Sequence, residues 1–186
     1  MARVKQVKAR QDYPAQGISK GDLHWTWSTR TTVGNRYISH THRSMTKPKP
    51  SQTTTSEFKA QAFALNGQLE EWEGSPGDAE SFRDDLKGEA ESLRDETQDK
   101  LDNMPEGLQA SPTGELLQER IDALEAFISE LEGVDFPGEE LGEEPEDLED
   151  GEDDDDFNER HDEWSNLHDA WEEAVEALKA VTLDVM

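Results

Sequence analysis

The chain has 186 residues, 34% of them charged and only 32% hydrophobic, with 45 acidic against 18 basic residues and a net charge of −27. That apolar share lies well below the roughly 45–50% usual for globular domains, so the core must be thin, spread along elongated helices, or accompanied by disordered stretches. Cysteine is absent, which excludes disulfides, thiolate metal sites and a cysteine nucleophile.

The charge is unevenly divided. Residues 1–59 hold eleven Lys/Arg against Asp12, Asp22 and Glu57, a net of +8; the remaining seven basic and 42 acidic residues give −35. Two segments of opposite sign point to two partners, or to one segment docked on the other. Acid-rich surfaces also suit high salt, but that explanation predicts acid throughout and does not account for the basic front.

Residues 1–11 read as an arm or first strand. "PAQGISKGD" supplies Gly17 and Gly21 for a turn. In "LHWTWSTRTT", Leu23, Trp25 and Trp27 alternate with His24 and Thr26, and "VGNRYISHTH" follows with Gly34-Asn35 as the turn. The expectation is a small β-ribbon over 1–50 with a tryptophan face. Such a ribbon is too small to be stable alone.

Beyond Pro48 and Pro50, "SQTTTS" offers helix-start residues, and Phe58, Ala62, Leu65, Leu69 and Trp72 recur at spacings of four and three. "GSPGD" interrupts this pattern. A more polar stripe of Phe82, Leu86, Ala90, Leu93, Thr97, Leu101 and Met104 predicts the next helix. Ser111-Pro112 then reads as cap and first-turn proline for a seam of Leu117, Ile121, Leu124, Ile128 and Leu131. These two helices predict an antiparallel hairpin. "GVDFPGEELGEEPEDLEDGEDDDD" (133–156) reads as an acidic flexible linker, and His161, Trp164, His168, Trp171, Val175 and Leu178 mark a final amphipathic helix over 157–183. The fold class is therefore mainly α with a small N-terminal β-ribbon, the helices (53–132) forming hairpins in a coiled-coil-like bundle.

His40 and His42 sit one residue apart, and His24 on a paired strand is expected to share their face. Three imidazoles without thiolates would need Asp12 or Asp22 as a fourth ligand, so neither a metal nor a cofactor is expected. A phosphate-facing surface fits the residues better: Arg30, Arg36, Tyr37, His40, His42, Arg43, Lys47 and Lys49 join cations to an aromatic, as single-strand contact requires. Trp25 and Trp27 read first as the ribbon's own core. The acid run lacks EF-hand spacing. No P-loop, G-x-S-x-G or H-E-x-x-H motif occurs, so the chain reads as non-enzymatic. No window approaches the roughly 18 apolar residues of a membrane span, and a soluble protein is expected.

The stretches "ARQDYPAQGISKGDLHWTW", "KPKPSQTTTSEF" and "KLDNMPEGLQASPTGELLQERIDALE" together resemble a family of small proteins of tailed bacteriophages and related viruses. Members combine a ribbon-like front, a proline–serine step and acidic helices, and many carry Cys pairs of a zinc ribbon. Here Ala15–Gly17 and the His40–His42 region stand in place of such pairs. The resemblance implies a viral setting, a host-cytoplasmic location and no particular activity.

The resulting expectation is a viral accessory or regulatory binding protein. Its ribbon would contact nucleic acid or a nucleoprotein machine. Its acidic helices, through Asp102, Glu106, Asp153, Asp154, Asp155 and Asp156, would engage a basic host or viral protein. The alternatives are an acidic mimic of nucleic acid that inhibits a host or defence enzyme, and an RNA polymerase effector presenting the 102–112 hairpin tip. Homodimerisation through an apolar seam is a further expectation.

Overall fold

The computed structural model describes residues 2–33, 36–145 and 154–185. The protein is mainly helical with a small three-stranded antiparallel sheet, and its contacts divide it into two units, Met1–Ala64 with Val185, and Leu65–Asp184. The division coincides with the charge split, because residues 60–64 carry no charge: the first unit is the +8 segment and the second the −35 segment. The boundary falls inside a helix rather than at the proline step.

In the first unit, β1 (Lys5–Lys8), β2 (Leu23–Val33) and β3 (Arg36–Ser44) lie in sequence order. β1 pairs with the start of β2, Lys5 opposite Thr26 and Lys8 opposite Leu23, while β2 and β3 pair along their length from Trp25–Ser44 to Val33–Arg36. Between β1 and β2 the chain folds into a bridged turn, Tyr13 to Ile18. Gly17 (φ +64°) and Gly21 (φ +101°) take left-handed conformations there that a side chain would strain. Gly21 N–H donates to Ala9 O and Ala9 N–H to Asp22 O, fixing the backbone where it leaves β1. Gly34 and Asn35, the turn residues expected from the sequence, lie outside the described residues.

β2 and β3 are long because Thr, Trp, Tyr and Ile suit extended backbone. Trp27 is the anchor: 7% exposed, with its indole N–H donating to Gln52 O at 2.9 Å. Gln52 belongs to a short 3-10 turn, Pro50–Thr53, and Ala2 N–H donates to Thr53 O, so both the start of the unit and the middle of β2 are tied to that turn.

Helix α1 (Glu57–Glu71) buries Phe58, Ala62, Leu65 and Leu69, as its spacing predicts. Trp72, just past its end, stacks on Phe82 with centroids 5.2 Å apart. In the second unit, α2 (Ala79–Asp102) buries Leu86, Ala90, Leu93 and Thr97, and packs against α4 (Pro112–Glu132), which buries Leu117, Ile121, Leu124, Phe127, Ile128 and Leu131. Lys87, early in α2, pairs with Glu132 at the end of α4 at 2.5 Å. The connection holds a single turn, α3 (Glu106–Gln109), and Ser111 caps α4 by accepting from Gly114 N–H. Gly114 must be glycine: a Cβ there would stand 2.0 Å from Gln109 O.

Residues 134–144, expected to be part of a mobile linker, are instead pinned to α5 (Asp154–Ala180). Trp171 donates to Glu139 O at 3.2 Å and Trp164 to Gly142 O at 2.9 Å, while Val134 is buried and Phe136 lies against Trp171. Residues 146–153 of that stretch lie outside the described residues. Of the expected α5 seam, Trp171 and Leu178 are buried, joined by Ala174, Val181 and Leu183; His161, Trp164 and His168 are partly exposed. Asn66 ties the chain's end to α1, its amide N donating to Leu183 O and its Oδ1 accepting from Leu183 N–H, both at 2.8 Å. No described helix is long and apolar enough to cross a membrane.

Candidate nucleic-acid interface

Strand alternation and register sort the ribbon's residues into two faces. One face carries Lys5, Val7, His24, Thr26, Ser28, Arg30 and Thr32 with Tyr37, Ser39, Thr41 and Arg43; the other carries Trp25, Trp27, Thr29 and Thr31 with Ile38, His40 and His42. Side-chain contacts agree with this sorting: Ser28 and Thr41 hydroxyls meet at 3.4 Å on the first face, and Thr29 Oγ1 lies 2.8 Å from His42 Nε2 on the second.

The eight residues expected to contact nucleic acid are therefore not one patch. Arg30, Tyr37 and Arg43 lie on the Arg30 face; Arg36, His40 and His42 on the Trp27 face; Lys47 and Lys49 follow β3 on the loop. Tyr37 is 80% exposed and free to stack on a base, whereas Trp27 is core. His42 stacks on Trp27 with ring centroids 5.3 Å apart and planes 19° apart. Lys49 N–H donates to Gln52 Oε1, placing that residue at the head of the 3-10 turn. His24 is opposite to expectation. Because odd positions of β2 oppose even positions of β3, His24 points to the face away from His40 and His42. It is buried, 3% exposed, and the three imidazoles do not converge.

The Arg30 face also holds residues that sequence reasoning missed. β1 stops at Lys5, leaving β2 beyond Thr26 without a partner strand on that side. The resulting notch, about 660 Å³, is lined by Arg3, Lys5, Ser28, Arg30, Ser39 and Thr54 among others. Three cations surrounded by hydroxyl donors suit phosphate oxygens, since both groups offer hydrogens to an anion. Arg3 and Lys5 read as generic basic residues of an arm; only the register of β1 brings Lys5 onto the face of Arg30.

Ion pairing differs sharply between the units. Among the described residues, none of Arg3, Lys5, Lys8, Arg10, Lys20, Arg30, Arg36, Arg43 and Lys47 pairs with a carboxylate of its own unit. In the acidic unit, Arg83, Lys87, Arg94 and Lys100 all have carboxylate partners. The Lys87 ammonium is held above its ordinary range first by its hydrogen bond to Glu132, and the Arg94 guanidinium likewise by Asp95.

Of the expected acidic contacts, Asp102 ends α2 and accepts from Gln98 Nε2 at 2.7 Å, and Glu106 opens α3, exposed. Asp154 opens α5, and the carboxylates of Asp155 and Asp156 in its first turn are favourable beside the helix N-terminus. Asp153 lies outside the described residues. On α5, His168, Asp169 and Glu172 bring one ligand atom each within 4.8 Å of one another, a grouping the sequence reading did not single out; i,i+4 spacing puts His168 Nε2 4.0 Å from Glu172.

No protein-family model, no curated protein and no solved structure matches the chain.

Proposed function

We propose that this chain is a non-enzymatic binding protein of bacteriophage type, in which the basic ribbon contacts single-stranded nucleic acid and the acidic helices engage a basic protein. The observation that carries the reading is that Arg3, Lys5, Arg30, Arg36, Arg43 and Lys47 have no carboxylate partner among the described residues of their own unit. Unpaired arginines and lysines keep condensed phosphate binding favourable, because no internal carboxylate must be displaced first. Tyr37 supplies an exposed ring for stacking beside Arg30, Ser39 and Thr41 on the same face. The expected test uses the full chain and a fluorescent single-stranded oligonucleotide at about 50 mM salt, where counterion release favours binding. Changing Arg36, Arg43, Lys47 and Lys49 together to alanine should remove most of the affinity. Absence of binding by the parent protein would end the reading.

For the acidic unit, the favoured arrangement is a coiled-coil-like antiparallel hairpin of α2 and α4 whose tip meets the partner. Leu108 supports this: it is a large apolar side chain 53% exposed in α3, the turn that joins α2 to α4. An exposed leucine in a connection that also carries the acidic residues Asp102 and Glu106 suits a basic protein groove, as a polymerase effector would need. A mimic of nucleic acid is the second reading, favoured by the −35 charge of this unit and by the local neutralisation of its few cations. The bacteriophage setting places the work in the host cytoplasm.

A further inference from the structure

The ribbon holds a second recess, separate in lining from the notch except for Thr26. It encloses about 270 Å³ and is lined by Val7, Arg10, Tyr13, His24, Thr26 and Arg43 among others; among the described residues no aspartate or glutamate lines it. Three observations meet there. His24 is 3% exposed, and its Nδ1 is buried with no hydrogen-bond partner. Arg43 lies with its guanidinium carbon 4.2 Å from the centre of the Tyr13 ring, a cation–π contact that holds the group against the ring. Arg10 is exposed and follows Ala9, whose backbone is clamped by Gly21 and Asp22.

The His24 ring also tilts against Tyr13, centroids 5.9 Å apart, so the tyrosine orders both His24 and Arg43. The recess thus gathers a buried imidazole nitrogen without a partner, the Arg43 guanidinium and a second guanidinium from Arg10, while the Thr26 hydroxyl hydrogen goes to His42 O at 3.1 Å. We propose that this recess is a binding site for one phosphate group. A tetrahedral anion uses several convergent donors at once, and a planar fork grips two of its oxygens. For the identity of the larger ligand the proposal rests on the nucleic-acid reading; for the existence of the site it rests on the geometry alone. Two sources share the chemistry, a terminal phosphomonoester of a strand or a diester within it.

The test follows the His24 and Tyr13 ring signals and the Arg43 Nε–H signal of the full chain by NMR. Inorganic phosphate is added at constant ionic strength, followed by equal-length oligothymidylates with a 5′-phosphate or a 5′-hydroxyl. Phosphate should shift all three sets of signals saturably. Arg10→Ala and Arg43→Gln should each weaken it by roughly tenfold or more, as expected for lost charge-assisted bonds. Arg43→Lys should recover only part, since it lacks the fork, and Lys100→Gln, on α2 in the second unit, should leave phosphate binding unchanged. A preference for the 5′-phosphate strand that vanishes in Arg43→Gln identifies the monoester as the source. Equal binding of both strands, weakened alike by Arg43→Gln, identifies the diester. If the three signals stay still up to about 20 mM phosphate, beyond a millimolar site's range, the recess is not a phosphate site. Phosphate that shifts the signals equally in the parent and in Arg10→Ala also overturns this inference and leaves the nucleic-acid reading standing. Phosphate that shifts His24 in a protein binding no strand upholds the recess and overturns that reading instead.

Discussion

His42 lies nearly parallel to Trp27, 5.3 Å between ring centres, and the Trp27 indole N–H is bonded to the backbone of Gln52. One tryptophan thereby joins the hairpin to the proline-rich turn that follows it. Trp27→Ala removes the stack, the hydrogen bond and a buried aromatic, a loss of about 3–5 kcal/mol for such truncations. Amide exchange of β2 and β3 should accelerate by orders of magnitude in this variant. In His42→Ala, which removes a surface ring, exchange should change little. Equal effects of the two substitutions would mean that Trp27 is not the anchor.

Leu124 is wholly buried in α4 and Glu125, its neighbour, is exposed. Leu124→Asp places an unpaired carboxylate in the α2–α4 seam, at a cost of several kcal/mol. Glu125→Ala should stay within about 0.5 kcal/mol of the parent. Urea melts followed by circular dichroism check both, and a Leu124→Asp protein that melts like the parent would place residue 124 outside a core.

These helices were legible because an apolar stripe at three- and four-residue spacing has one stable solution, burial against another stripe. Ser111-Pro112 marked the start of α4 through its cap, and the structure has that cap. Phe127 fell off the heptad and went unnoticed, since a wider stripe is invisible to a strict seven-residue count. Residues 134–144 read as a linker because their anchoring comes from Trp164 and Trp171 donating to backbone carbonyls, which any sequence can supply. The ribbon's strands were equally plain, but not which faces coincide. A pairing that sets Val33 against Arg36 puts odd positions of one strand over even positions of the next, and a one-residue change would have reversed His24. The recess of Arg10, His24 and Arg43 depends on that register and on the Tyr13–Ile18 bridge, so no local pattern announced it.

Lys87 offers a titration of the second unit. Its hydrogen bond to Glu132 raises its pKa in the folded state above the ordinary 10.5. A raised lysine stabilises fully below the unfolded value, and the contribution is lost as pH climbs through the folded value. Site-resolved NMR of the Lys87 side chain should therefore report a pKa above that of a free lysine, returning toward 10.5 in Glu132→Gln. An unchanged titration in that variant would mean the 2.5 Å contact is not populated in solution.

Salt should stabilise the acidic unit. The 42 acidic residues beyond residue 59 repel one another, and screening shortens that repulsion to about 10 Å at 0.1 M salt. Thermal melts of helical circular dichroism should shift upward between low and moderate salt. A downward shift would show that local pairs such as Lys87–Glu132 outweigh the collective repulsion.

The central claim, that the ribbon's cations meet phosphates, is tested most directly by the salt dependence of single-strand binding in the parent and in the Arg3→Ala/Lys5→Ala/Arg30→Ala protein. For single strands, log affinity falls with log salt by roughly 0.7 per phosphate neutralised. If all three notch residues contact phosphates, the parent slope should be steeper than the variant's by about 2. Equal slopes, or a parent that does not bind at low salt, would contradict the account.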